Sequence, residues 1–198
     1  MKSTPVHPAE AQILARNSES VIERASQISL MAFDVDGILT DGTLWYGENG
    51  EVMKPFNALD GHGLRLLKES GIRVALITGR DGPIVSRRAY ELGIDLVYQG
   101  VRNKPETLIK LAQECGVTLA QTGFMGDDLI DLTAMQKCGF AATVPNAPEY
   151  IASAAHWVST RSGGAGAARE CCDLILASQG KLAPFFGSQT PLISGAIQ

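Results

Sequence analysis

At 198 residues the chain is long enough for one well-buried domain of ordinary size, and a hydrophobic fraction of 45% with 19% charged residues is that of a soluble globular protein. A net charge of −4, with no basic run longer than two residues, argues against nucleic acid as a partner. No apolar stretch approaches the length of a membrane span, no compact apolar segment marks a secretory leader, and four cysteines without a CxxC pair read as reduced thiols, so a cytoplasmic protein with no membrane partner is expected.

In chain order, residues 9–25 carry Ile13, Leu14, Val21 and Ile22 at helical spacing, which predicts one amphipathic helix feeding the first strand. That strand is the apolar run Ser29-Leu30-Met31-Ala32-Phe33, and Asp34-Val35-Asp36-Gly37 stands where it ends. Residues 43–55 differ in kind: Leu44-Trp45-Tyr46 and Val52-Met53 flank Asn49-Gly50, a strong hairpin signal. A lone hairpin is marginal in water, so these side chains need a second surface, either the chain's own core or, as we expect, another subunit. Helices are predicted over residues 59–70, stopped by Gly71, over 83–92, with Pro83 in the first turn and Gly93 beyond the end, and over 104–115, between Asn103 and Gly116. Further helices are predicted over residues 129–137 and 165–177, and strands over 73–77, 96–98, 122–125 and 141–144, with Trp157-Val158 as a sixth. Residues 179–198 read as a carboxyl-terminal tail on a single domain spanning 1–198, in which Pro184, Phe185, Phe186 and Pro191 suggest an extension that docks on a neighbour.

Alternating strands and helices predict an α/β fold: a Rossmann-like parallel sheet with helices on both faces, and a small β-hairpin insertion. In such sheets the site lies beyond the carboxyl ends of the strands. Four of those ends carry polar groups here: Asp34 and Asp36, Thr78, the Asn103-Lys104 region, and Asp127-Asp128. Asp-x-Asp-Gly alone is more often a surface turn, and a lysine at a helix start is more often solvated. Together the groups suit chemistry at a phosphate. Asp34 is the candidate nucleophile and Asp36 the acid and base. Thr78 offers a hydroxyl to a phosphoryl oxygen or caps the next helix, Lys104 brings positive charge, and Asp34 with Asp127 supplies the hard oxygen ligands that suit Mg²⁺. Asp131, one helical turn on, is placed to orient Lys104 or a metal-bound water.

Asp34-Val35-Asp36-Gly37, Thr78-Gly79-Arg80, Lys104 and Gly126-Asp127-Asp128-x-x-Asp131 resemble, in order, the four motifs of the haloacid dehalogenase-like phosphohydrolases. The resemblance implies a Rossmann-like fold and a magnesium ion held by Asp34, the backbone carbonyl of Asp36, and Asp127. The intervals between motifs leave no room for a cap domain, so a neighbouring subunit is expected to close the site through the hairpin. Phe56-Asn57-Ala58-Leu59-Asp60-Gly61, Tyr98-Gln99-Gly100 and Gly163-Gly164-x-Gly166-x-x-Arg169-Glu170 extend the likeness over roughly residues 30–181 to the 3-deoxy-D-manno-octulosonate 8-phosphate phosphatases of lipopolysaccharide biosynthesis. This second resemblance implies a homotetramer with a shared site and a sugar acid phosphate as substrate. It places Asn57, Asp60, Gly61, Arg65, Arg80 and Arg88 at the substrate, together with Asp36, Lys104 and Asp128. Two alternatives stay open: a phosphatase of a related nine-carbon sugar acid phosphate, and a non-catalytic tetramerisation module. A phosphoryl mutase is disfavoured, because it normally needs a cap to exclude water.

Overall fold

The structure, a computed structural model, describes residues 7–187. Six parallel strands form one sheet: β1 (Leu30–Phe33), β4 (Arg73–Ile77), β5 (Leu96–Tyr98), β6 (Thr122–Met125), β7 (Phe140–Thr143) and β8 (Trp157–Val158). Their order is β5-β4-β1-β6-β7-β8, so β1 lies inside the sheet with β4 on one side and β6 on the other. Successive side chains on a strand point to opposite faces. Met31, Phe33, Val74 and Leu76 accordingly join one apolar layer, and Leu30, Ala32, Ala75 and Ile77 the other. Helices α1 (Pro8–Leu14), α2 (Glu19–Ser26), α3 (Ala58–Glu69), α4 (Pro83–Leu92) and α8 (Ala167–Ser178) cover the first layer. Helices α5 (Lys104–Cys115), α6 (Leu129–Lys137) and the short α7 (Glu149–Ala152) cover the second. The expected α/β architecture is present, with the hairpin β2 (Trp45–Gly47) and β3 (Gly50–Met53) as a separate antiparallel pair.

The helix expected over residues 9–25 is two helices. Asn17 donates its side-chain amide to the Ile13 carbonyl at 2.9 Å, and the Ser18 hydroxyl accepts from the Val21 amide at 3.4 Å. Side chains that satisfy the backbone locally break a helix at that point and cap the next one. The helix expected from residue 165 starts at Ala167, because Gly166 holds a left-handed φ of +103°. The fifth strand starts one residue early, at Phe140, and α7 carried no signal strong enough to predict.

The start of the tail packs on its own chain. Residues 183–186 form a 3₁₀ turn against the chain's own α1. The buried carboxylate of Glu10 accepts from the amides of Leu182 and Ala183 at 3.0 and 2.9 Å, and the rings of His7 and Phe186 stack at 4.6 Å. The expectation for Pro191 lies outside the described residues. All four cysteines are free thiols, three of them buried.

Candidate active site

Asp34, Thr78 and Asp127 are placed by adjacent strands. Each follows the end of its strand or lies one residue beyond it, and β1 pairs with both β4 and β6. Register therefore brings them together at the carboxyl edge, at the point where strand order reverses. Asp34 and Thr78 are buried, and Asp127 is half-buried. Lys104, the first residue of α5, is 1% exposed and reaches across to Asp34 Oδ1 at 2.9 Å and Asp131 Oδ1 at 2.5 Å. The other oxygen of Asp131 accepts from the backbone amides of Asp127 and Asp128 at 3.1 and 3.2 Å. One buried carboxylate thus fixes both the lysine and the loop that carries Asp127.

Carboxylate oxygens of Asp34, Asp127 and Asp131 lie within 4.8 Å of one another. Burial, reinforced by Asp131 and opposed by Lys104, pushes Asp34 up to about 7. Burial together with Asp131 and Asp128 pushes Asp127 up to about 7 as well. Burial works against the charge on Lys104, but Asp34 and Asp131 more than offset it and its pKa rises. One ammonium among three carboxylates leaves the cluster short of positive charge.

Gly37 makes this closeness possible. It has φ +88°, and a Cβ there would stand 2.0 Å from Asp127 Oδ2. The glycine-rich loop after β8 presses on the same turn: a Cβ on Gly163 would meet the Gly37 carbonyl oxygen at 1.7 Å, and the Gly164 amide donates to the Ile38 carbonyl at 2.9 Å.

Asp36, two residues after Asp34, faces a different set of groups. Its Oδ1 accepts from Lys54, which follows β3 and is buried. Lys54 also pairs with Glu51 of β3 at 2.9 Å. Arg80 lies 3.8 Å from both Asp36 Oδ2 and Glu51 Oε1, and its guanidinium donates to the Tyr46 hydroxyl at 2.5 Å. The hairpin therefore folds its polar edge into the site of its own chain. Its apolar side chains Trp45, Val52 and Met53 stay between 45% and 62% exposed.

Comparison with known proteins gives the lineage. A family model for haloacid dehalogenase-like hydrolases matches residues 54–139. The 3-deoxy-D-manno-octulosonate 8-phosphate phosphatase KdsC of Haemophilus influenzae is 42% identical over 167 residues, which are 84% of this chain and 93% of that protein. The chain belongs to the haloacid dehalogenase-like hydrolases. Solved members of the family share the fold. The cobalt-bound deoxy-D-mannose-octulosonate 8-phosphate phosphatase of Haemophilus influenzae aligns with a TM-score of 0.80 at 42% identity, covering 82% of this chain and 95% of that one. A 3-deoxy-D-manno-octulosonate 8-phosphate phosphatase from Moraxella catarrhalis, in complex with magnesium, phosphate and KDO, aligns with a TM-score of 0.83 at 42% identity, covering 86% and 98%.

In this hydrolase the donor set fits a divalent cation. Asp127 Oδ1 is buried without a hydrogen-bond partner among the described residues, and the carboxylates around it are hard oxygen donors. Asp131 is the weaker ligand of the three, because both its oxygens are already engaged. Asp34 and Asp127 are therefore the side chains that would hold the ion.

The other expected substrate residues separate. Asn57 caps α3 through the Leu59 amide at 2.8 Å and donates to the Gly164 carbonyl at 3.1 Å, beside the site. Asp60 is 2% exposed and turns away, accepting from the amides of Gly166 and Arg169 at 3.2 and 2.8 Å. Gly61 lies under Arg88, whose guanidinium sits 5.9 Å from the Phe56 ring centre and 3.7 Å from Glu91. Arg65 is exposed and donates to the Glu91 carbonyl at 3.2 Å. Asp128 is exposed and caps α6 through the Leu129 amide at 2.7 Å. Thr78 does not cap α4; its hydroxyl accepts from the Arg80 amide at 3.3 Å. Lys54 and Glu51 are the site residues that sequence reasoning missed, since neither stands in a recognisable motif.

Proposed function

We propose that this hydrolase removes the phosphate of 3-deoxy-D-manno-octulosonate 8-phosphate, releasing the sugar acid and inorganic phosphate in the cytoplasm. The observation that carries the reading is the buried convergence of Asp34, Asp127 and Lys104 at the edge of the sheet, in a chain whose relatives bear the name of that activity. Asp34 and Asp127, with the Asp36 carbonyl, are the groups assigned to Mg²⁺. A magnesium ion there would neutralise charge on the phosphoryl oxygens.

This chain's own residues then act in two steps. An Asp34 oxygen bonds to phosphorus as the ester O–P bond breaks, and Asp36 gives its proton to the departing sugar oxygen. Water next bonds to phosphorus and yields a proton to Asp36, while the bond to Asp34 breaks and phosphate leaves. Lys104, held by Asp131, offsets charge on the transferring group, and Thr78 donates its hydroxyl to it. Arg80 is the arginine this chain itself brings beside Asp36. Arg88 borders a groove of about 420 Å³ that Lys54 also lines, and we assign it to the sugar's carboxylate. Glycine at position 61 leaves that guanidinium its space, while Asp60, Arg65 and Asp128 have structural bonds and receive no substrate role. The exposed apolar side of the hairpin supports assembly into a homotetramer with neighbouring sites close together.

The test is phosphate release from the eight-carbon and nine-carbon sugar acid phosphates, with Mg²⁺ and with chelator. Fast, metal-dependent release from the eight-carbon ester alone is the expected result. Equal release from both leaves the class intact and overturns the stated substrate. No release from either, in a well-folded protein, makes the chain an assembly module.

A further inference from the structure

We infer that Lys54 is a positioning residue for the acid and base, Asp36, and selects which of its two oxygens carries the proton. The inference rests on the phosphatase reading and goes beyond it. Lys54 lies outside every motif of the site, yet its side chain is 2% exposed. A lysine is almost never buried so completely without paired charge. Its partners are two carboxylates from different elements, Asp36 after β1 and Glu51 on β3.

The two oxygens of Asp36 are thereby made unlike. Oδ1 accepts from the Lys54 ammonium. Oδ2 is buried without a hydrogen-bond partner among the described residues, with Arg80 Nε held off at 3.8 Å. A carboxyl group turns freely about its terminal bond unless something fixes it. With Oδ1 tied to Lys54, Oδ2 is the oxygen left to hand a proton to the leaving group and to take one back from water. Glu51 forms an ion pair with the same ammonium at 2.9 Å, so the lysine is held between two carboxylates rather than free to swing toward the phosphoryl group. Arg80 is itself held on the far side by Tyr46. Hydrogen-bond geometry of this kind is what general acid catalysis depends on.

The experiment separates this role from a structural one by varying the leaving group. Lys54→Met, Lys54→Arg, Asp36→Asn and the double variant Lys54→Met/Asp36→Asn are assayed with Mg²⁺ on two esters. One is the sugar phosphate, whose alkoxide needs a proton to leave; the other is p-nitrophenyl phosphate, whose phenolate leaves without one. Lys54→Met is expected to lower kcat/KM, which reports the step in which the leaving group departs and not the later hydrolysis that both esters share, by on the order of 100-fold on the sugar phosphate and by only a few-fold on p-nitrophenyl phosphate. Lys54→Arg restores most of the difference. In the Asp36→Asn background, Lys54→Met costs nothing further on the sugar phosphate, as expected of two residues acting as one unit. Equal losses on both esters, losses that multiply in the double variant, or a wild-type rate in Lys54→Met would each overturn the role. If Lys54→Met fails to fold, Lys54→Gln takes its place in the same comparison of esters, with Lys54→Arg still as the rescue. A folded wild type that cleaves neither ester brings down the phosphatase reading and this inference together. Wild-type cleavage with an ester-independent Lys54 defect brings down the inference alone.

Discussion

Replacing Asp60 by alanine decides between two roles for a residue that family resemblance puts at the substrate and the fold puts elsewhere. The residue is 2% exposed, and its carboxylate accepts from the amides of Gly166 and Arg169 at 3.2 and 2.8 Å, stitching α3 to the first turn of α8. Hydrogen bonds to a charged acceptor contribute about 1.5–3 kcal/mol each, and the amino end of a helix adds attraction for an anion. Against this, burial raises the carboxyl's pKa, more than the amides of Arg169 and Gly166 lower it, so part of the gain offsets the cost of hiding a charge. Asp60→Ala should therefore destabilise by roughly 2–4 kcal/mol, which in a domain of this size lowers Tm by about 5–15 °C. Asp60→Asn keeps an acceptor and should cost about 1 kcal/mol. Thermal melting by circular dichroism, paired with steady-state kinetics at a temperature where every variant is folded, reads both roles. An unchanged Tm with a KM raised tenfold or more would refute the structural assignment and return Asp60 to the substrate.

Four further outcomes follow from the same geometry. Asp34→Asn should lower turnover by at least ~10³-fold without lowering Tm, because it removes one of three crowded carboxylates; near-normal turnover would remove Asp34 as nucleophile. Asp131→Ala breaks a buried pair with Lys104 and frees the amides of Asp127 and Asp128, a loss of about 3–5 kcal/mol together with lower kcat. An unchanged melting curve for that variant would show that Lys104 is held by Asp34 alone. In the metal-free protein Asp34 and Asp127 are pushed from the ordinary 3.8 up to about 7, so the folded state keeps protons that the unfolded chain has lost. Stability from these groups falls as pH rises from about 4 to about 7, and Mg²⁺ should raise Tm more at pH ~7.5 than at pH ~5.5. An equal gain at both pH values would place the ion elsewhere. Trp45→Ser with Val52→Ser should reduce the sedimenting species below a tetramer, whereas unchanged sedimentation would exclude the hairpin face as the contact.

Much of this fold is legible because the chain punctuates it. Pro83 and Gly93 bound α4, and Asn103 and Gly116 bound α5, each residue acting through its own backbone preference. The apolar runs before Asp34, Thr78 and Asp127 read as buried strands for the same reason that they place those side chains: a parallel sheet brings its strand ends to one edge. Local rules fail where a side chain competes with the backbone, as at Asn17 and Ser18, or where distant residues must meet, as Glu10 meets the amides of Leu182 and Ala183.

The site divides along the same line. Asp34, Asp36, Lys104 and Asp127 stand at strand and helix ends, so their meeting follows from topology. Lys54 and Glu51 do not: only the way a surface hairpin folds back brings Lys54 to Asp36, eighteen residues earlier in the chain, and Glu51 to Lys54. Resemblance also carries proximity better than role: Asp60 belongs to the block at the start of α3, beside the site, yet its carboxylate serves α8. The hairpin joins the two kinds of residue. Its polar edge bears Glu51 and leads into Lys54, while Trp45, Val52 and Met53 remain exposed on it. A subunit covering that apolar surface would sit one strand away from the lysine that holds Asp36, so loosening the assembly should weaken reactions that need a protonated leaving group before those that do not.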